Sequence, residues 1–137
     1  MGGTKAMQML QPEGWKRPRG YSNGIAASGR FVFVAGQVAF APETAEIVSD
    51  DFAAQVRQTL ENTVAVLREG GAGPEHICRM TWYVTDKQAY IDQIAEVGAA
   101  YQDTIGRHYP AIALIEVKGL LDDRARIEIE TTAVVPE

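Results

Sequence analysis

Apolar residues in the first half of the chain's centre recur at every third or fourth position: Phe52, Val56, Leu60, Val64 and Leu67. An α-helix turns once in about 3.6 residues, so this spacing gathers all five on one face. Ser49 or Asp50 is placed to cap the start, and Asp50 and Asp51 suit the positive end of the helix dipole. Gly70-Gly71 ends the helix. A second stripe of Ile91, Ile94, Val97, Tyr101 and Ile105 predicts one further helix, capped by Asp86 and stopped before Pro110.

Strand character surrounds these helices. Ile25 to Ala27, a tight turn at Ser28-Gly29 and the run "RFVFVAGQVAF" read as two strands. Gly36 lies inside the second, where a glycine marks a bulge or a close backbone approach. Ile47-Val48 is a short extended return. "CRMTWYVT", "AIALIEV" and "RIEIETTAV" complete the set, giving the order β-β-(β)-α-β-α-β-β. Helices interleaved with strands predict an α+β domain with a mixed β-sheet and two helices on one face. We assign Ile112 and Leu114 by alternation to the uncovered face. A bare apolar sheet face predicts oligomerisation.

Composition narrows the partners. The chain of 137 residues suits a single domain, read as an arm over residues 1–20 and a folded unit over 21–137. The lone cysteine, Cys78, excludes an internal disulfide. No apolar run approaches the roughly 20 residues of a membrane span, and "MGGTKAMQMLQPEGW" lacks the apolar centre of a signal peptide. We therefore expect a cytoplasmic protein with no membrane partner. The net charge is −5, and "KRPR" is the only basic cluster, so no nucleic-acid partner is expected.

Few residues offer chemistry. Cys78 shares its side of the strand with Met80, Trp82 and Val84, and nothing basic is placed to make it a thiolate, so a structural thiol is expected. His76 and His108 are far apart in sequence, without metal-site spacing. "AGQVAF" continues as strand instead of opening a phosphate loop, and Ser22, Ser28 and Ser49 fall in turns or caps. In the last strand, Ile127, Ile129, Thr131 and Ala133 share one face, while Arg126, Glu128 and Glu130 share the other. A carboxylate of that second face, entering an apolar cleft against another subunit, would suit general acid or base work near neutral pH. Glu116, Glu128 and Glu130 compete for this role, and alternation does not rank them.

Taken together, "GYSNG", "VFVAGQV", "QVRQTLENTVAVLREGG", "ICRMTWYVTD", "YPAIALIEV" and "RIEIETTAV" resemble, in order from about Tyr21 to Val134, the RidA/YjgF family of imine and enamine deaminases. The resemblance implies a chorismate-mutase-like α+β homotrimer with small-molecule sites in clefts between subunits. It implies cofactor-independent hydrolysis of imines and enamines to keto acids and ammonia, with no metal. By the same resemblance Tyr21 lines the pocket, the backbone at Gly36 approaches the ligand, and Glu128 positions and activates water.

The departures from that pattern are as informative. Deaminating members carry a carboxylate-gripping arginine two residues after the proline, where this chain has Ile112. Leu114 replaces a small Ser or Cys, Ala35 replaces the serine before Gly36, and Ala95 replaces an asparagine. Loss of a bidentate charged contact from an enclosed site weakens anion binding on the order of a thousandfold. The expectation is thus a deaminase or tautomerase acting on a substrate other than the 2-aminoacrylate type, for example one resembling 2-aminomuconate. The alternative is a non-catalytic trimer of the same fold that binds a small molecule. The ribonuclease role once attached to the family name fits the acidic balance least. Arg107, His108, Arg126, Lys16, Arg17 and Arg19 are the cations that could replace the lost arginine, and Trp15 and Trp82 could meet an aromatic ligand.

Overall fold

The computed structural model describes residues 7–137, so the first six residues of the expected arm lie outside the described residues. Six strands and three helices follow in the order β1 (Met7–Leu10), β2 (Gly24–Ala27), β3 (Arg30–Gln37), α1 (Phe52–Glu69), β4 (Ile77–Val84), α2 (Lys87–Asp92), α3 (Ile94–Thr104), β5 (Ala111–Glu116) and β6 (Ile127–Val135). Four strands form one sheet of order β3-β6-β4-β5. β6 runs antiparallel to both of its neighbours, and β4 runs parallel to β5 across the helical crossover. Among the described residues, no helix is long and apolar enough to cross a membrane.

The alternation of β6 sets the two faces. Ile127, Ile129, Thr131 and Ala133 are buried beneath the helices, together with Met80, Trp82 and Val84 of β4. Phe52, Val56, Leu60 and Leu67 of α1 close over them, as the stripe predicts. Burying one such side chain stabilises the fold by roughly 1.5–3 kcal/mol, so this shared face dominates its stability. Polar residues on α1 are buried too, and each ties down a loop. Gln55 donates to the carbonyls of Ser49 and Arg124 and accepts from the Arg126 N–H. Asn62 donates to the carbonyls of Val38 and Phe40.

Several expectations change. The N-cap of α1 is Asp51, whose carboxylate accepts from the Ala54 N–H, while Ser49 accepts from the Asp51 N–H. The strand beginning at Arg30 ends at Gln37, and Phe40 survives only as a bridge to Ile47. Within the arm, Met7–Leu10 pairs with Gly24–Ala27 in a separate two-stranded ribbon, so β2 does not form a hairpin with β3.

The largest correction concerns Ile112 and Leu114. They pair with Met80 and Trp82, which puts them on the helix side of the sheet and not on the uncovered face. Ala111, Ala113 and Ile115 take the uncovered face instead. That face is not uniformly apolar: Phe31 and Phe33 stand exposed on it, beside Glu128, Glu130, Tyr83 and Arg79.

The expected second helix is two helices. Gln93 breaks the run, and its side chain explains why: the carbonyl accepts from the Ala53 N–H, and the amide donates to the Asp51 carboxylate. Held against the first turn of α1, Gln93 turns the chain so that Ile91 and Ile94 face outward. The Gln93 amide, followed by the Ala54 N–H, holds the Asp51 carboxyl below its ordinary value of 3.8. The resulting stability is present above that value and is lost as pH falls through the lowered one. Gln93→Ala is expected to cost about 1–2 kcal/mol in urea unfolding at pH 7. The difference from the parent protein should narrow as unfolding is repeated at pH 3 and below.

Candidate functional site

The sites suggested by sequence divide between the two faces of the sheet. On the helix side, a cavity of about 520 Å³ opens between β5 and the α2–α3 pair. Ile112 and Leu114 form its floor with Trp82. Tyr90 and Tyr101 stand on the helical wall, and Tyr109 stacks on Tyr101 at a ring separation of 5.5 Å. Burial, followed by the proximity of Tyr109, pushes the Tyr101 phenol well up, and its hydroxyl donates to the His108 carbonyl. Tyr101 is therefore a neutral wall.

Tyr21 reaches this cavity from the arm because the next residue is stitched to the sheet edge. The Ser22 N–H donates to the Pro110 carbonyl at 2.9 Å, and its hydroxyl donates to the Tyr109 carbonyl. Ser22 and Ala111 form a single parallel bridge, so the chain joins the outer side of β5 for one residue. Gly20, at φ +80°, supplies the left-handed turn just before it, a conformation that strains other residues. Arg19 and Tyr21, either side of that turn, both line the cavity, as Ile112 does.

Gly36 and Glu128 meet on the other face. The pairing of β3 with β6 slips between Val34 and Gln37, so Gly36 lies in a bulge directly against Glu128. A Cβ built on Gly36 would stand 2.3 Å from the Glu128 Oε2 atom, so only glycine lets the two approach.

The three competing carboxylates now separate. Glu116 accepts from the Lys87 N–H at 2.9 Å, and Glu130 accepts from the Tyr83 hydroxyl at 2.7 Å. Glu128 takes part in no side-chain hydrogen bond or ion pair among the described residues, and it is half-buried beside the Gly36 bulge. Tyr83, Glu128's neighbour across the strands, is committed to Glu130, and that bond, with burial and both carboxylates, raises the Tyr83 phenol.

Within one chain Tyr21, Ile112 and Leu114 come together, and Gly36 and Glu128 come together, but the sheet separates the two groups. Among the six cations, Arg19 alone lines the cavity. Arg126 pairs with Asp86 and lies over the Phe52 ring, and the His108 ring binds the Ile77 carbonyl. Trp15 stays exposed on the arm, and Trp82 is buried at the cavity floor. Burial raises the Cys78 thiol, in keeping with a structural role. Residue type alone could not single out Arg19, because its place at the cavity depends on a bridge between residues far apart in the chain.

Comparison with known proteins follows this geometry. The family model described as Endoribonuclease L-PSP matches residues 15–135. A RutC family protein of Pyrococcus abyssi is 35% identical over 129 residues, covering 93% of this chain and 97% of the relative. The 2-iminobutanoate/2-iminopropanoate deaminase of Escherichia coli K12 is 34% identical over 109 residues, covering 77% of this chain and 80% of the enzyme. A crystal structure of a Rid family protein of unknown function from Yersinia pestis superposes with a TM-score of 0.82 at 34% identity, covering 96% of this chain and all of that one, 100%.

The Gly36–Glu128 contact yields a direct test. Gly36→Ala should push the Glu128 carboxylate aside at little cost in stability, because the obstructed atoms end a flexible side chain. The melting temperature should fall by no more than a few degrees, the shift expected for about 1 kcal/mol or less. Any turnover that depends on Glu128 should drop by about tenfold or more, a barrier change of roughly 1.4 kcal/mol.

Proposed function

The chain belongs to the RidA/YjgF family, and on that basis we propose that it hydrolyses a small imine or enamine to a carbonyl compound and ammonia without a cofactor. The observation that carries this reading is the free carboxylate of Glu128 beside Gly36, while Glu116 and Glu130 are both engaged. The named activity of the E. coli relative supports it as well.

The chemistry asks little of the protein. Protonation of the imine nitrogen makes its carbon electrophilic. Glu128 takes a proton from a water molecule as the oxygen bonds to that carbon, giving a carbinolamine. Glu128 passes that proton to nitrogen and then takes the hydroxyl proton as the C–N bond breaks and the C=O bond forms, so ammonia leaves and the last proton returns to solvent. An enamine enters the same route after protonation at carbon. A positioned carboxylate acting in this way contributes about 10²–10⁴-fold.

The separation of the two residue groups supports an intersubunit site. In a homotrimer, the cavity of one subunit would meet Gly36 and Glu128 of its neighbour, with the exposed Phe31 and Phe33 covered in the assembly. The apolar floor at Ile112 and Leu114 argues for a substrate other than the 2-aminoacrylate type.

The test generates imines in situ from several amino acids with an amino-acid oxidase and follows the loss of trappable imine. The protein should accelerate this loss, and Glu128→Gln should reduce the acceleration about 100-fold or more. Identical rates for the two proteins, both near the spontaneous one, would overturn the reading and favour a non-catalytic binding trimer. Light scattering after size exclusion should give three times the chain mass; a monomer would remove the intersubunit site.

A further inference from the structure

The cavity beside β5 carries one formal charge, and it comes from the arm. Within one subunit, Arg19 is the only charged residue among those lining it. Arg19 also makes no hydrogen bond or ion pair among the described residues. An unpaired guanidinium beside an apolar chamber favours an anion whose remaining bulk is apolar, because the charge is met at one end and water is displaced at the other.

The chamber also has a distinct shape chemistry. Five aromatic side chains line it, with Tyr21, Tyr90, Tyr101 and Tyr109 around a floor of Trp82, Ile112 and Leu114. The only side-chain amide among its lining residues is that of Gln102. A volume of about 520 Å³ lies within the usual range of roughly 300–1,000 Å³ for small-molecule pockets, far larger than a two- or three-carbon acid requires. Flat groups bury the most area against such walls, and aromatic pairs add about 0.5–1.5 kcal/mol beyond that burial.

We propose that Arg19, brought to this cavity by the Ser22 stitch to Pro110 and Ala111, is its specificity-determining cation, and that the ligand is a carboxylate bearing a flat aryl or conjugated body. In terms of the hydrolysis proposed above, on which the substrate assignment rests, the substrate is an imino acid with a large unsaturated side chain. The arm thus supplies the charge that β5 lacks at Ile112. In this reading Arg19 meets the carboxylate, and the conjugated body lies along Trp82 and the tyrosines.

Binding can be measured apart from turnover. The chain has two tryptophans, so Trp15→Phe leaves Trp82, a wall residue, as the sole tryptophan reporter. In that background, phenylacetate, its neutral amide phenylacetamide, and acetate are titrated at constant ionic strength. Phenylacetate should quench Trp82 saturably and bind about tenfold or more tighter than either of the others. Arg19→Gln should weaken phenylacetate by about tenfold or more and leave phenylacetamide within about twofold, with Arg19→Lys between. Arg17→Gln, outside the cavity, should change neither, and melting curves confirm that each variant is folded.

Equal binding of phenylacetate and its amide overturns the proposal. So does unchanged phenylacetate binding by Arg19→Gln, acetate binding as tightly as phenylacetate, or absence of saturable binding by either aryl probe. These titrations involve no reaction, so they stand if Glu128 proves not to catalyse. Their failure in turn leaves the Glu128 hydrolysis test untouched.

Discussion

The architecture depends on burying one side of β6. A strand has a period of two, so placing Ile127, Ile129, Thr131 and Ala133 under α1 turns Glu128 and Glu130 to the opposite surface. No adjustment of a side chain can reverse this, because a one-residue slip would bury two carboxylates and expose the core. The position of Glu128 is therefore a by-product of core packing. β3 then completes the site: its bulge falls beside Glu128, and a glycine there lets backbone and carboxylate approach.

How much of this could be seen in the sequence depended on chemical contrast. In β6 apolar and charged residues alternate, so each side chain's face was legible. In β5, "AIALIE" is apolar on both sides, and alternation could show that Ile112 and Leu114 share a face without showing which. Pairing with Met80 and Trp82 decided it. The α1 stripe was legible for the same reason as β6, but buried Gln55 and Asn62 were invisible to an apolar pattern because their partners lie on distant loops. The break at Gln93 was hidden likewise, since its cause is the start of α1, 40 residues earlier in the chain.

The candidate site was legible only in pieces. The resemblance to the RidA/YjgF family identified Tyr21, Gly36, Ile112, Leu114 and Glu128, and the fold groups them into two clusters on opposite sides of one sheet. Residue types could rank neither the carboxylates nor the cations. Among the acids the resemblance singled out Glu128, and the structure adds that the other two are engaged; among the cations location distinguishes one of six, which lines the cavity.

The Ser22 stitch separates two properties that most binding sites combine. A charge placed on β5 would belong to the sheet, and altering it would disturb pairing with β4 and the packing under α3. A charge placed on the arm is joined to the sheet through one residue's backbone and hydroxyl. Residues 19 and 21 can then vary in size and charge while the bridge at 22 persists, and the core is not consulted. Selectivity for the ligand's anionic end thus becomes a property of a surface segment, free to drift from one descendant to the next while the sheet stays fixed.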